Sequence, residues 1–181
     1  PEEVAEAFDQ LEQAGKVRHF GVSNQNPMMM ELLKTAVKQP LKVNQLQLSA
    51  AFTPSFEAGF HVNMEGPKAA VRDGSVFEYC RLTDTVIQAW SVLQHGYFKG
   101  NFVGKEEFAA LDHVLNDLAK KYQVTPTAIA LAWVLRYPGK MQAVIGTTKP
   151  QHVLEAGKAA EVTLTRKEWY QIYLAAGNDL P

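Results

Sequence analysis

The 181-residue sequence has a single cysteine, Cys80. No disulfide can therefore close within the chain, and a reducing, cytoplasmic setting is expected. It also lacks an excess of either charge: 18 basic and 19 acidic residues leave a net charge of −1. That balance excludes the basic field by which proteins hold nucleic acid and the polybasic patch that binds an anionic membrane. No apolar run approaches the roughly 20 residues of a membrane span. No leader pattern opens the chain, which begins inside an amphipathic repeat. No G-x-G-x-x-G fingerprint follows any expected strand, which argues against an open dinucleotide-binding sheet. The five histidines, at positions 19, 61, 95, 113 and 152, have no metal-ligand spacing.

What is present is an ordinary soluble composition, 46% hydrophobic and 20% charged, arranged in alternating helix and strand patterns. Glu2 and Glu3 suit the first turn of a helix, Val4, Phe8 and Leu11 share one face of it, and Gly15 suits its left-handed end. "VRHFGVSN" reads as a strand. Asn26 and Pro27 then read as cap and first position of a helix with Leu32, Leu33, Ala36 and Val37 on its inner stripe. Strands are expected at 19–23, 42–48, 85–91 and 142–146, with an aperiodic excursion over 51–79 and a glycine-rich loop after the third. Helices follow through Phe108, Leu111, Val114, Leu115 and Leu118, from Thr125–Pro126, and over "KPQHVLEAGKAA"; Thr165 and Glu168 form a capping box for the last. This α/β alternation implies a parallel sheet with right-handed crossovers. Two architectures compete: an open doubly wound sheet, or part of a (β/α)8 barrel, which when whole needs about 250 residues.

In either case a ligand would lie at the carboxyl ends of the strands. Those ends carry Ser23 and Asn24, then Asn44 and Gln45, then Trp90 and Ser91, then Gly146, Thr147, Thr148 and Lys149. They hold amides, hydroxyls and one flat aromatic, with no carboxylate pair, metal-ligand cluster or nucleophile beside a base. Such a set suits holding a ligand more than transforming it. Each residue has an ordinary structural reading too: Ser23 and Asn24 as turn formers, Gln45 as a satisfied buried amide, Trp90 as core.

"FGVSN", "VNQLQLS", "AWSVL" and "VIGTTKPQHVLEA", in that order and spacing, resemble the aldo-keto reductase superfamily, in particular a bacterial oxidoreductase subgroup with an "AWS" strand. The resemblance covers essentially the whole chain. It implies a parallel (β/α)8 barrel that binds NADPH, with NADH as the alternative, and transfers hydride to a small-molecule aldehyde or ketone. By the same resemblance Ser23, Asn24 and Gln45 would bond the nicotinamide carboxamide, which needs both a donor and an acceptor. Trp90 would stack on the ring in place of the usual tyrosine. Ser91, Leu93 and the loop through Gly96 match the pyrophosphate segment. Gly146, Thr147, Thr148 and Lys149 match the segment around the 2′-phosphate, and Glu155 the acidic residue near the adenine amino group.

The sequence departs from that pattern in two ways. Thr148 and Lys149 stand where the family has lysine and serine, and His152 and Ala156 where it has arginine and asparagine. His152 is a weaker phosphate partner than arginine. The family's catalytic Asp, Tyr, Lys and His all precede the helix that opens this chain, and none of Tyr79, Tyr97, Tyr122, Tyr137, Tyr170 and Tyr173 sits in their context. Residues 1–181 are thus expected to form the C-terminal part of one barrel, strands five to eight, completed by an N-terminal half in the same or another chain. Alone, the chain is expected to be inactive, with Val22, Leu46 and Ile87 pointing into an incomplete barrel and two open sheet edges. A non-catalytic nucleotide-binding or structural half-barrel is the alternative. Residues 51–79 and 94–105 flank the strand ends and are the expected source of specificity.

Overall fold

A computed structural model describes residues 1–60, 76–96 and 99–179, with residues 58–60 described by their backbone alone. Its elements run α1 (Glu2–Gln13), β1 (Phe20–Ser23), α2 (Pro27–Lys34), β2 (Leu41–Gln47), α3 (Pro54–Phe60), α4 (Val76–Leu82) and β3 (Val86–Trp90). Then follow α5 (Ala109–Tyr122), α6 (Pro126–Leu135), β4 (Met141–Ala143), α7 (Pro150–Gly157) and α8 (Arg166–Ala175), with short 3-10 turns before α5 and after α7. The expected excursion falls partly on 61–75, outside the described residues; its flanks are α3 and α4.

The four strands form one sheet in the order β1-β2-β3-β4, and each neighbouring pair is parallel. Strand order that follows chain order, with no reversal, rules out the doubly wound alternative, whose sheet reverses at a switch point. β1 carries one irregularity, between Phe20 and Gly21. A Cβ on Gly21 would stand 2.6 Å from both the Cβ and the carbonyl oxygen of Val43, so only glycine lets β1 come this close to β2. β3 ends at Trp90 because Ser91 turns into the left-handed region, with φ 53°.

Register decides which side chains face the helices. Asn44 pairs with Ile87 and Leu46 with Ala89; Ile87 pairs with Met141 and Ala89 with Ala143. Leu46, Ile87 and Ala89 are buried among Leu111, Leu115 and the residues of α6. Successive side chains of a strand alternate between faces, so Gln45, Gln88 and Gln142 lie on the other side. This corrects the expectation for Leu46 and Ile87: they are outer, helix-packed residues. Val22, in register with Asn44, shares their face and packs with Met30, Val37 and Leu41.

α6 is the hub of the core. Thr125 caps it by accepting the Ala128 N–H at 3.2 Å, an arrangement worth about 1 kcal/mol. Every residue from Ala128 to Val134 is buried. Its Trp133 stacks on Trp169 of α8, centroids 4.8 Å apart and planes 8° from parallel. Each indole donates to the other residue's carbonyl at 3.0 Å, so both polar edges are satisfied inside the core. α1 and α2 are less enclosed. Only Phe8 of the expected α1 stripe packs inward, 4.3 Å from Phe20; Val4 and Leu11 are exposed, as is Leu32 of α2, whose buried residue is Met30.

The capping box at α8 is present, and Glu168 carries it. Its carboxylate accepts the Thr165 N–H and hydroxyl, each at 2.7 Å, Tyr122 Oη at 2.8 Å and Lys121 Nζ at 2.5 Å. Burial by itself raises the carboxyl pKa, but the bonds from Lys121, Thr165 and Tyr122 outweigh it and hold the group at about 2, below its ordinary 4.5. A folded-state pKa below the unfolded one gives stability that is whole above about pH 4.5 and is lost as pH falls towards 2. Replacing Glu168 with Gln should therefore lower the melting temperature at neutral pH, and the gap between variant and parent should narrow as pH falls through that window. Parallel melting curves from pH 7 to 2.5 check this; a gap independent of pH would contradict it.

Candidate functional site

The carboxyl ends of the strands present two neighbouring groups of side chains. The first lies across β1, β2 and β3. The Gln45 carbonyl accepts both the Asn24 N–H at 2.9 Å and the Ser23 hydroxyl at 3.2 Å. Asn24 has φ 52°, a left-handed conformation that asparagine tolerates better than most side chains. Both residues are exposed. On the same face Gln45 Nε2 donates to Gln88 Oε1 at 3.2 Å, and Gln88 Nε2 to Gln142 Oε1 at 2.8 Å. Trp90, half-buried, stands one step further along β3 in register with Gln47. Gln47 is buried, and its Nε2 has no hydrogen-bond partner among the described residues.

Asn44 is the satisfied buried amide of this region. It is fully buried; its Nδ2 donates to the Gln25 carbonyl at 2.8 Å, and its Oδ1 accepts the Gln25 N–H at 3.4 Å. It thereby ties down the turn that carries Ser23 and Asn24 before Asn26, which accepts the Met29 N–H at 2.9 Å, starts α2.

The second group lines a groove of about 550 Å³ between the loop after β3 and the segment from β4 into α7. It brings together Trp90, Ser91, Leu93, Gly146, Thr147, His152 and Glu155 of the expected site residues. The Thr147 hydroxyl lies 3.4 Å from His152 Nδ1 and accepts the Lys149 N–H at 3.2 Å. α7 starts immediately afterwards with Pro150 at its first position and no acidic residue in its first turn. Its free N–H groups and dipole favour an anion there. Glu155 is held by Gln151 Nε2 at 3.0 Å. Thr148 and Lys149 are exposed and do not line the groove, and their side chains make no hydrogen bond or ion pair among the described residues. Gly96 is buried beside Lys99, also outside the groove lining, at φ +153°.

Sequence reasoning missed Gln88 and Gln142, whose signal was their alternation with helix-facing residues; Gln47, whose signal was its place two residues after Gln45; and Gln94 and Asn101, which pair across the loop and line the groove. Tyr97 and His61 lie outside the described residues. Among the described residues no group of three or more His, Cys, Asp or Glu is placed to hold a metal, and no helix is long and apolar enough to cross a membrane. Cys80 is buried, which pushes its thiol pKa up.

Four consecutive parallel strands with helices packed on one face define a protein built as about half of a (β/α)8 barrel, with polar residues gathered at the carboxyl end of the sheet. The sequence model of the aldo/keto reductase family matches residues 1–175, and the chain belongs to that family. It is 33% identical to 6-dehydroglucose reductase of Agrobacterium fabrum over 181 residues, 99% of this chain and 54% of that protein. It is 32% identical to oxidoreductase YdhF of Escherichia coli over 99% of this chain and 54% of that one. Among solved structures, the thermostable aldo-keto reductase Tm1743 superposes with TM-score 0.69 at 22% identity, over 96% of this chain and 54% of its own. An aldo-keto reductase of Klebsiella pneumoniae in complex with NADPH gives 0.69 at 21% identity, over 94% of this chain and 52% of its own. The chain thus spans about half the length of the relatives it matches.

The hold of Asn44 on the site turn is testable. Asn44→Leu removes both bonds and leaves the Gln25 N–H and carbonyl unpaired. We expect a loss of about 1–3 kcal/mol of stability and faster hydrogen exchange at Gln25 and Asn24, read by denaturant titration and amide exchange. Unchanged exchange at these two amides would show that Asn44 does not hold the turn.

Proposed function

We propose that this chain supplies most of the NADP(H) site of an aldo-keto reductase that reduces an aldehyde or ketone. In this reading its strands are the fifth to eighth of the barrel. The observation that carries it is the convergence of amides, one flat indole and a helix N-terminus at the ends of four consecutive strands. The residues present fit the cofactor. Gln45 Oε1 accepts no hydrogen bond among the described residues, and Gln47 Nε2 is an orphaned donor. A carboxamide offers both complements. Trp90 offers a stacking face, and the groove leading to α7 offers N–H groups and hydroxyls to phosphate. The name of the Klebsiella pneumoniae structure, solved with NADPH, points the same way.

Bound there, the cofactor would supply the hydride. Ser23, Asn24 and Gln45 would fix the carboxamide and hence which face of the ring meets the substrate. Trp90 would cover the opposite face and exclude water from it. Ser91, Leu93 and Gly96 would border the pyrophosphate. Lys149, free of an ion pair among the described residues, would meet a 2′-phosphate, with Gly146, Thr147, Thr148 and His152 around it and Glu155 near the adenine. The proton that must reach the carbonyl oxygen would come from a preceding half of the barrel, in the same or another chain.

Two expected outcomes test this reading. Trp90→Ala should weaken NADPH binding by roughly 1–3 kcal/mol, from lost apolar contact; equal affinity in variant and parent, by calorimetry, would remove Trp90 from the site. Residues 1–181 expressed alone should show no NADPH-dependent carbonyl reduction, since loss of the general acid costs on the order of 10²–10⁴ in rate. Co-expression with the preceding half should restore turnover. Turnover by the isolated chain would mean that it carries its own proton donor.

A further inference from the structure

The register row on the face away from the helices runs Ser23, Gln45, Gln88, Gln142, one residue from each strand. Three of its members are primary amides joined head to tail, and the joining has a direction. Gln45 Nε2 donates to Gln88 Oε1 at 3.2 Å, and Gln88 Nε2 donates to Gln142 Oε1 at 2.8 Å. An amide is ambivalent: turned over, it exchanges its acceptor for its donor. Gln45 in isolation could therefore offer either group to a ligand. Tied to Gln88 through its NH2, it has its oxygen left over, and that oxygen accepts no bond among the described residues.

We propose that Gln88, backed by Gln142, is a positioning residue that fixes the direction of the Gln45 amide, so that the site presents an acceptor to the NH2 of a ligand carboxamide. This rests on the nicotinamide reading above and adds to it the element that sets the polarity of recognition. Neither Gln88 nor Gln142 needs to touch the ligand. The chain of bonds acts through orientation, and each link polarises the next. The layer beyond it has the opposite character: Gln47, two residues along β2, has a buried NH2 with no partner among the described residues. Acceptor below and donor above match the two ends of one carboxamide.

The test uses a pair of head groups of equal charge, oxidised NADP and its 3-acetylpyridine analogue, both pyridinium cations, the second with a methyl where the carboxamide has NH2. Affinities are measured by calorimetry on the protein as its reading frame encodes it. The parent should prefer the carboxamide roughly two- to tenfold, the range of one hydrogen bond. Gln88→Met, close in volume and without an acceptor, frees Gln45 to turn its NH2 towards the acetyl oxygen, and the ratio should fall towards one. Gln88→Glu keeps an acceptor opposite Gln45 Nε2 and should restore the parent ratio. A general loss of packing would weaken both ligands alike and leave the ratio in place. If Gln88→Met does not fold, Gln142→Met, which removes the support one link further out, should lower the ratio part of the way. An unchanged ratio in the folded Met variant overturns the proposal. The nicotinamide reading fails separately, and the proposal with it, if the parent does not bind NADP or if Gln45→Ala binds it as tightly as the parent.

Discussion

The unshifted parallel pairing of β2 with β3, from Val43 opposite Val86 to Gln47 opposite Trp90, is the constraint on which the rest of this molecule depends. A slip of one residue would turn every side chain of a strand to the other face. Were β3 to slip, Ile87 and Ala89 would leave the helices, and Gln88 and Trp90 would be driven into an apolar core. In this register the two faces have opposite chemistry. One is buried against α5 and α6; the other carries a hydrogen-bonded row of amides, with the Trp90 indole one layer further along the strands. Burial on the first face holds the second in place, so the site's geometry follows from the core's packing.

Local chemistry was the most legible part of the sequence. Asn26 before Pro27, Thr125 before Pro126, and Thr165 with Glu168 each mark a helix start by the same device, a side-chain oxygen that accepts an orphan N–H. The parallel order followed from the alternation of patterns. Facing was legible only in part. Val22, Leu46 and Ile87 look like interior barrel residues if apolar is read as inward, but in a sheet covered by helices the outer face is the dry one. The polar residues between them then mark the lumen. The stripes of α1 and α2 misled for a related reason: periodicity reports which face is apolar, whereas exposure of Val4, Leu11 and Leu32 depends on what packs there.

For the candidate site, the sequence pointed to residues that gather at the strand ends, and their individual surroundings could not be read from it. Asn44 and Gln45 are adjacent and chemically alike, yet alternation sends one to a buried structural bond with Gln25 and the other to the face away from the helices, beside Gln88. Trp90, Ser91, Leu93, Gly146, Thr147, His152 and Glu155 do share one groove. Thr148 and Lys149 stand outside it, on the exposed approach to α7, where a long flexible cation can still reach a phosphate.

The central claim, that the strand ends hold a nicotinamide nucleotide by its carboxamide and ring, is tested most directly by side-chain NMR during an NADP titration. The chain has three tryptophans, at positions 90, 133 and 169. Trp133 and Trp169 are buried and bonded to one another's carbonyls, so their indole N–H signals serve as internal references. The account predicts saturable shifts of the Trp90 indole and of the Asn24 and Gln45 side-chain amides, with the Trp133 and Trp169 indoles unmoved. Saturable binding that leaves Trp90, Asn24 and Gln45 unperturbed would contradict it.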